Sequence, residues 1–275
     1  MSSTTWFVTG ASKGMGRHIT DAALAAGHRV VATSRSPERL TDEVGSSDRF
    51  LAVPMALTDE TEVAAAVHRA EEHFGGIDVL VNNAGYSVLG AVEEFSDAEV
   101  RANFDVNVLG LLSVIRAALP GMRRRRRGHI LNLASISADV TGPSTGVYSA
   151  TKAAVLMLTE ALAEEISPLG LRATAVCPGG VRTDFLDSSS SRRPERTVDG
   201  YDSVRRVLDG LDRLNHRQGG DPALVARALL TLVEQPDPPT RLYLGSDALG
   251  AIRHQTARVR AEADRWAELT TSTDG

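Results

Sequence analysis

The sequence is poor in cysteine and in aromatic residues, and it has no long apolar run. Cys177 is the single cysteine among 275 residues, which excludes an intramolecular disulfide framework and a thiolate zinc cluster. Aromatic residues make up 4%, so there is little material for the stacking platforms of single-strand nucleic-acid binders. The net charge of -5 also argues against a nucleic-acid partner, because such proteins usually carry a basic excess.

The sequence begins without the features of a signal peptide. Residues 1–5 lack a basic segment, and residues 6–8 are too short for the apolar core of such a peptide. No stretch approaches the roughly 18 consecutive apolar residues that indicate a membrane-spanning helix. Together with the lone cysteine, these absences predict a cytoplasmic protein in a reducing compartment, with no membrane partner.

Short β-rich runs alternate with longer helical patterns along the chain. Strands are expected at residues 6–9, 29–33, 50–53, 77–81, 130–133, 172–176 and 241–244, and helices at 17–26, 60–74, 98–122 and 149–166. This alternation predicts an α/β fold with a Rossmann-like doubly wound parallel sheet of about seven strands and helices on both faces. We find no internal repeat and no linker, so residues 1–275 are expected to form a single domain.

One segment departs from this alternation. Residues 184–220 combine a polar patch at 188–194 with a helical stretch near 204–214. Such an insertion late in an α/β chain is either a mobile lid over a substrate site or a tolerated loop. We treat it as a variable substrate-binding segment.

Three glycines follow the first predicted strand. Gly10, Gly14 and Gly16 allow a tight turn, and they let backbone N–H groups approach a pyrophosphate at a helix N-terminus. Their spacing, G-x-x-x-G-x-G, differs from the general dinucleotide fingerprint, and any strand-to-helix turn can use glycine. The position directly after the first strand nevertheless favours a dinucleotide site.

The end of the second predicted strand bears on the choice of dinucleotide. An NAD site usually has an acidic residue here, to hold the ribose 2′-hydroxyl. Ser34 and Arg35 stand at this point instead, and a guanidinium favours a 2′-phosphate. Lys13 can add a second positive charge, so we expect NADP(H); the alternative for Arg35 is an ordinary surface residue.

A tyrosine and a lysine lie four residues apart at the start of a predicted helix. Tyr148 and Lys152 share one helix face, so both side chains can reach the same small volume. A free phenol has a pKa of about 10, and a nearby ammonium group lowers it towards the range that is useful for proton transfer. Taken alone, this spacing is common by chance and usually reflects packing.

Together with the other motifs, this pair makes the sequence resemble the short-chain dehydrogenase/reductase family over almost its full length. Ser135 lies 13 residues before Tyr148, as the family pattern requires. The shared pieces occur in the family's order, namely residues 9–16, Asn82-Asn83-Ala84-Gly85, Asn107, Ser135, Tyr148, Lys152 and residues 178–183.

The resemblance implies a catalytic set of four residues. Tyr148 would protonate the substrate carbonyl, or remove the proton in the reverse direction. Lys152 would lower the pKa of Tyr148 and bind the nicotinamide ribose, and Ser135 would hydrogen-bond the carbonyl oxygen. Asn107 would hold a water that links Lys152 to solvent.

The resemblance also implies a cofactor site without a metal. Its residues are expected to be Gly10, Ser12, Lys13, Gly14, Met15, Gly16, Ser34, Arg35, Leu57, Asn83, Ala84, Gly85, Tyr148, Lys152, Pro178, Gly179, Val181 and Thr183. The chain departs from the family near the adenine, where Ala56 stands in place of the common aspartate. It departs again at its C-terminus, where a helical extension over residues 246–270 replaces a glycine-rich strand segment.

That extension bears on assembly and on access to the site. It would cover the substrate mouth, pack on the protein's own core, or block the tetramer contact used by many family members. We therefore expect a homodimer, with a tetramer as the alternative.

The expected function is that of an NADP(H)-dependent ketoreductase, transferring a hydride between nicotinamide and a small-molecule carbonyl or alcohol substrate of medium size. The alternatives are a non-catalytic NADP-binding sensor or scaffold, which should lack part of the catalytic set, and a reductase of imines or activated C=C bonds. An apolar substrate is suggested by the residues expected around it, namely Val140, Phe185, Leu186, Val207 and Leu211. Arg182 and Arg192 are the cations that an anionic substrate would use.

Overall fold

The computed structural model describes residues 3–274 and contains a central parallel sheet of seven strands. The predicted lack of a signal peptide rests partly on Met1 and Ser2, which lie outside the described residues. The strands of this sheet, in spatial order, are β3 (Phe50–Pro54), β2 (Arg29–Ser34), β1 (Thr5–Val8), β4 (Val79–Asn82), β6 (His129–Leu133), β7 (Arg172–Pro178) and β9 (Arg241–Leu244). The predicted doubly wound α/β fold is confirmed.

A second, two-stranded sheet lies outside the main one. It pairs β5 (Ser87–Val88) in parallel with β8 (Ser191–Arg192). This small sheet joins the loop after β4 to the segment 184–220.

The helices cover both faces of the main sheet. They are α1 (Gly14–Ala25), α2 (Pro37–Val44), α3 (Glu60–Phe74), α4 (Asp97–Phe104), α5 (Leu111–Arg125), α6 (Gly146–Ile166), α7 (Asp202–Leu214), α8 (Pro222–Val233), α9 (Ser246–Arg265) and α10 (Ala267–Thr271). The helix predicted at 98–122 is interrupted by a π-helical turn at Asp105–Gly110, so it consists of α4, this turn and α5.

Local sequence explains several of the helix ends. Asp59 caps α3 by accepting hydrogen bonds from the backbone N–H groups of Thr61 and Glu62, and Gly75 ends the helix in a left-handed conformation. Ser96 and Glu99 form a reciprocal capping box at the start of α4. These signals are local, which is why the bounds of α3 agree with the prediction.

The core consists of two apolar layers, one on each face of the sheet. Phe7 and Leu80 belong to the layer shared with α3, α5 and α6, whereas Trp6, Val8 and Ile19 belong to the layer shared with α1 and α8. Because successive side chains of a strand point to opposite faces, the apolar strands fill both layers.

The continuous helical stretch Asp97–Arg125 is long and apolar enough, by length and composition, to cross a membrane. Half of its most apolar window is buried inside the protein, however. Val114, Ala118 and Met122 are fully or almost fully buried in the core layer shared with α3 and α6. Its apolar character is thus accounted for by packing within this domain.

The C-terminal extension projects from the domain. It begins at the end of β9, where Ala248 is buried, but residues 256–274 are exposed throughout. Of the three expected arrangements, packing on the protein's own core is therefore wrong for most of its length. The predicted helical extension consists of two helices, α9 and α10.

The order of the strands creates a crevice. From β1 the chain moves outwards to β2 and then β3, and it returns to β4 on the other side of β1. The loops that follow β1 and β4 therefore diverge, and ligands of open α/β sheets bind in this type of crevice at the carboxyl ends of the strands.

Candidate active site

A cleft of about 680 Å³ lies at the carboxyl ends of the strands. Most of the predicted site residues line it, namely Gly10, Ser12, Lys13, Gly14, Met15, Ser34, Arg35, Leu57, Asn83, Ala84, Gly85, Ser135, Tyr148, Lys152, Pro178, Gly179, Val181 and Thr183. Gly16 and Asn107 are buried directly behind its wall. The topology therefore brings the predicted cofactor and catalytic residues to one place.

The glycine loop packs so closely against the loop after β4 that side chains have no room. Gly10 has a φ of +64°, and a Cβ there would lie 2.9 Å from the Cα of Ala84. A Cβ on Gly16 would lie 2.4 Å from the carbonyl oxygen of Gly10. Thr9 joins the two loops, because its Oγ1 accepts hydrogen bonds from the backbone N–H groups of Asn83 and Ala84, each at 3.0 Å.

The side of the cleft at the end of β2 carries a free positive charge. Arg35 is exposed on the cleft and forms no ion pair within residues 3–274, whereas its neighbour Arg39 pairs with Glu43 at 2.9 Å. Lys13 lines the cleft as predicted, and its Nζ donates to Ser189 Oγ at 2.5 Å. At the end of β3, the backbone N–H of Ala56 donates to Glu62 Oε2 at 2.7 Å.

The phenol and the ammonium group occupy the first two turns of α6, and both residues are buried. Lys152 Nζ lies 5.8 Å from the centroid of the Tyr148 ring and donates to the carbonyl oxygen of Leu133 at 2.6 Å. Burial lowers the pKa of Lys152 to about 8. The pKa of Tyr148 is raised and not lowered as we expected, because burial outweighs its hydrogen bond with Ser135, which acts in the opposite direction. The phenol is therefore protonated at neutral pH, in the state that a general acid requires.

Asn107 lies in the π-helical turn and holds the backbone of Tyr86. Its Oδ1 accepts from the N–H of Tyr86 at 3.1 Å, and its Nδ2 donates to the carbonyl oxygen of Tyr86 at 2.9 Å. Nδ2 also donates to Thr151 Oγ1 on α6 at 3.1 Å. A π-helical turn often marks a functional site. Here it fixes the loop after β4 against α6, a positioning task that the sequence did not reveal.

The loop after β7 is held by the first turn of α9. Asp247 Oδ2 accepts from the N–H of Gly180 at 2.7 Å. A Cβ on Gly179 would lie 2.3 Å from the carboxylate oxygens of Asp247, so the absence of a side chain there permits this contact. No sequence signal pointed to Asp247, because it is 67 residues from Gly180.

Segment 184–220 forms part of the cleft wall. Phe185, Leu186 and Leu211 line the cleft as predicted, and the Phe185 ring lies 5.9 Å from that of Tyr148. Val140 and Val207 were also expected there, and this expectation is wrong, because neither is among the residues that line the cleft within the described chain.

Two other groups of reactive side chains are explained by their protein contacts. Cys177 is buried, and burial raises the pKa of its thiol to about 12, so it is a small apolar residue and not a nucleophile. Asp187 lies close to Asp184 and His216, and it accepts hydrogen bonds from Asn215 at 2.6 Å and from His216 at 3.0 Å.

Comparisons with known proteins agree with this geometry. The model of the short chain dehydrogenase family matches residues 4–194. Oxidoreductase BOA17 of Botryotinia fuckeliana is 34% identical over 267 residues, which cover 96% of this chain and 97% of that protein.

Three solved structures are similar over most of the chain. A short-chain dehydrogenase from Streptomyces avermitilis has a TM-score of 0.91 at 36% identity, covering 99% of each chain. A short chain dehydrogenase from Burkholderia cenocepacia in complex with NADP has a TM-score of 0.75 at 29% identity, covering 96% of this chain and 97% of that one. A 3-ketoacyl-(acyl-carrier-protein) reductase from Brucella melitensis complexed with NADH has a TM-score of 0.73 at 28% identity, covering 88% and 96%.

Proposed function

Because the chain belongs to the short-chain dehydrogenase family, we propose that it is an NADP(H)-dependent ketoreductase. The family membership makes it an oxidoreductase. The proposal that it acts as a ketoreductase rests on one observation. Ser135, Tyr148 and Lys152 line the same cleft as the glycine loop. A binding module would need the glycine loop but not this set of proton-handling side chains.

The residues of the cleft fit a dinucleotide. Gly10 and Gly16 have no room for a Cβ, so the loop after β1 packs closely against the loop after β4. Helix α1 begins at Gly14, and its N-terminal N–H groups would be available to a phosphate of the cofactor. Arg35 supports the choice of NADP(H), since it is a cation on the cleft at the end of β2 with no carboxylate partner within residues 3–274. Of the three solved structures described above, one contains NADP and another contains NADH, so the proposal of NADP(H) depends on Arg35.

The nicotinamide supplies the hydride when the cofactor is bound. This chain's own residues hold the substrate and move the proton. Ser135 would donate a hydrogen bond to the carbonyl oxygen, where negative charge develops, and Tyr148 would deliver its proton to that oxygen. Below a pH of about 8, Lys152 carries a positive charge near the phenol and stabilises the phenolate that remains.

A turnover screen tests the proposal. Purified protein is mixed with NADPH and a panel of aldehydes, cyclic ketones, quinones and steroids, and oxidation is followed at the nicotinamide absorbance. We expect turnover that Tyr148→Phe abolishes while NADPH binding is retained. Tyr201→Phe is the matched control, because Tyr201 bonds to the exposed Glu93 and does not line the cleft. Activity of Tyr148→Phe within tenfold of wild type would contradict the role of this phenol.

The cofactor preference has its own test. Arg35→Gln should weaken NADPH binding by at least tenfold and change NADH binding little, because only NADPH carries the 2′-phosphate. Arg39→Gln is the control, since Arg39 is already paired with Glu43. Equal losses for the two cofactors in the Arg35 variant would contradict the assignment. No turnover with any carbonyl would favour the sensor, or a reductase of imines or activated C=C bonds.

A further inference from the structure

One end of the cleft combines apolar walls with the guanidinium of Arg192. The walls there are formed by segment 184–220 and by the loop after β4, namely Leu89, Phe185, Leu186, Leu211 and Leu214. Arg192 lines the same cleft and lies directly beside these residues in the fold, because its carbonyl oxygen accepts from the N–H of Leu89 at 2.9 Å. An apolar wall without a charge would suit a neutral substrate, so this guanidinium needs an explanation.

Two contacts fix the position of Arg192, and a third set of contacts fixes Tyr86 beside it. Its backbone belongs to β8, and it is in register with Val88 of β5. Its guanidinium carbon lies 4.6 Å from the centroid of the Tyr86 ring, a distance at which a cation is attracted to an aromatic face. The backbone of Tyr86 is in turn held by Asn103 and Asn107, so the cation is connected to the catalytic region through short contacts.

The other cations of the cleft have assigned partners. Arg39 pairs with Glu43, Lys13 donates to Ser189, and Lys152 donates to the carbonyl of Leu133. Arg35 has no carboxylate partner within residues 3–274, and we have already assigned it to the 2′-phosphate of the proposed NADP(H).

Arg192 is the other unpaired arginine of the cleft. Within residues 3–274 it makes no ion pair and no side-chain hydrogen bond, whereas its neighbour Arg193 pairs with Asp212 at 2.7 Å. A guanidinium that stacks on an aromatic ring keeps its edge N–H donors free, and these donors match the two oxygens of a carboxylate.

We propose that the substrate is an amphipathic carbonyl compound, or the corresponding alcohol, with a carboxylate that Arg192 binds. The apolar body then lies against the leucines of the cleft, and the carbonyl group lies at Tyr148. The other candidate cation, Arg182, does not line the cleft and donates to the carbonyl oxygen of Gln218 at 3.2 Å. This inference rests on the proposed ketoreductase function and specifies its substrate class.

Matched acids and esters test the inference. The probes are straight-chain methyl ketones that end in a carboxylate, with two to eight methylene groups between the two functions, each paired with its methyl ester. Each pair has the same carbonyl and the same apolar body, so a difference in kcat/KM reports the charge. We expect the wild type to prefer the acid at one or more chain lengths by at least tenfold, the range of a hydrogen bond to a charged group.

Variants connect that preference to one side chain. Arg192→Gln should lower kcat/KM for the preferred acid by at least tenfold and leave its ester within about twofold, and Arg192→Lys should restore only part of the loss. Arg193→Gln removes the same charge one residue away and should leave both substrates unchanged. The inference is overturned if esters are reduced as well as acids at every length, or if the two glutamine variants behave alike.

Further outcomes distinguish a failure of this inference from a failure of the proposed ketoreductase function. If Arg192→Gln raises the KM for NADPH while acid and ester lose activity equally, Arg192 binds a cofactor phosphate and the inference fails. If neither acids nor esters are reduced while the carbonyl panel described above shows turnover, the inference is overturned and the ketoreductase proposal stands. If that panel shows no turnover either, the ketoreductase proposal fails, and binding of the acids to the NADPH complex is then measured by calorimetry. Binding that does not depend on Arg192 would overturn the inference separately.

Discussion

Glu94 is the most buried carboxylate that connects segment 184–220 to the rest of the domain, and replacing it with glutamine should loosen that segment. Its side chain is 0% exposed and ends the 3₁₀ turn Val92–Glu94. One oxygen accepts from the N–H of Ala91 at 2.8 Å, and the other accepts from the N–H of Val198 at 3.0 Å. Arg205 binds both oxygens.

The magnitude follows from these contacts. Glutamine has one oxygen and one NH2 group, so one of the two backbone N–H donors must face another donor and lose its partner. An unsatisfied buried donor costs about 1–3 kcal/mol. The loss of the ion pair adds about 1 kcal/mol, because Arg205 is 36% exposed and solvent screens part of its interaction. Glu94→Gln should therefore lower the free energy of unfolding by about 2–4 kcal/mol.

Urea unfolding measures the loss of stability, and limited trypsin digestion measures the loosening of segment 184–220. We expect a lower midpoint for Glu94→Gln and faster cleavage at the arginines of segment 184–220. Glu93→Gln is the control, because Glu93 is exposed and its carboxylate accepts from Tyr201. If the free energy of unfolding of Glu94→Gln lies within about 0.5 kcal/mol of the wild-type value and cleavage is no faster, Glu94 does not hold the segment in place. This limit is about the smallest loss expected for a net hydrogen bond.

Three other predictions concern the loops and the core. Gly16→Ala should weaken NADPH binding by more than about tenfold in a fluorescence titration, because its Cβ would lie 2.4 Å from the carbonyl oxygen of Gly10; Gly210→Ala, in open space on α7, should not. Asp247→Ala should raise the KM for NADPH by roughly three- to thirtyfold with a smaller change in kcat, since the N–H of Gly180 loses its acceptor. An unchanged KM would contradict this positioning role. Burial lowers the pKa of His129 to about 3, so the unfolded chain binds more protons than the folded protein between about pH 3 and 6.5. Stability should thus fall as the pH decreases through that range, and His129→Gln should show a shallower decrease in urea unfolding at pH 6.5 and 4.5.

The fold and the position of the catalytic set could both be predicted from the sequence. Strand-to-helix alternation is a local pattern, and the Tyr148–Lys152 spacing lies within one helix, so neither depends on distant contacts. The capping of α3 by Asp59 is local in the same sense. These features could be predicted because the relevant interactions connect residues a few positions apart.

The features that escaped prediction depend on contacts between distant parts of the chain. Asp247 reaches Gly180 only because β9 lies beside β7 in the sheet. Val140 and Val207 are absent from the cleft wall within the described chain, because apolar character in a sequence does not show which residues of a segment will line a cleft. The π-helical turn at Asn107 replaces a regular helix with the same apolar pattern, and periodicity does not distinguish the two.

The hydrogen bond between Lys13 and Ser189 has a consequence for how segment 184–220 responds to a cofactor. It joins the loop after β1 to that segment through one exposed contact at the edge of the cleft. A cofactor phosphate bound at the glycine loop would compete with Ser189 for the ammonium group of Lys13. We therefore expect cofactor binding to change how firmly segment 184–220 is held at this point.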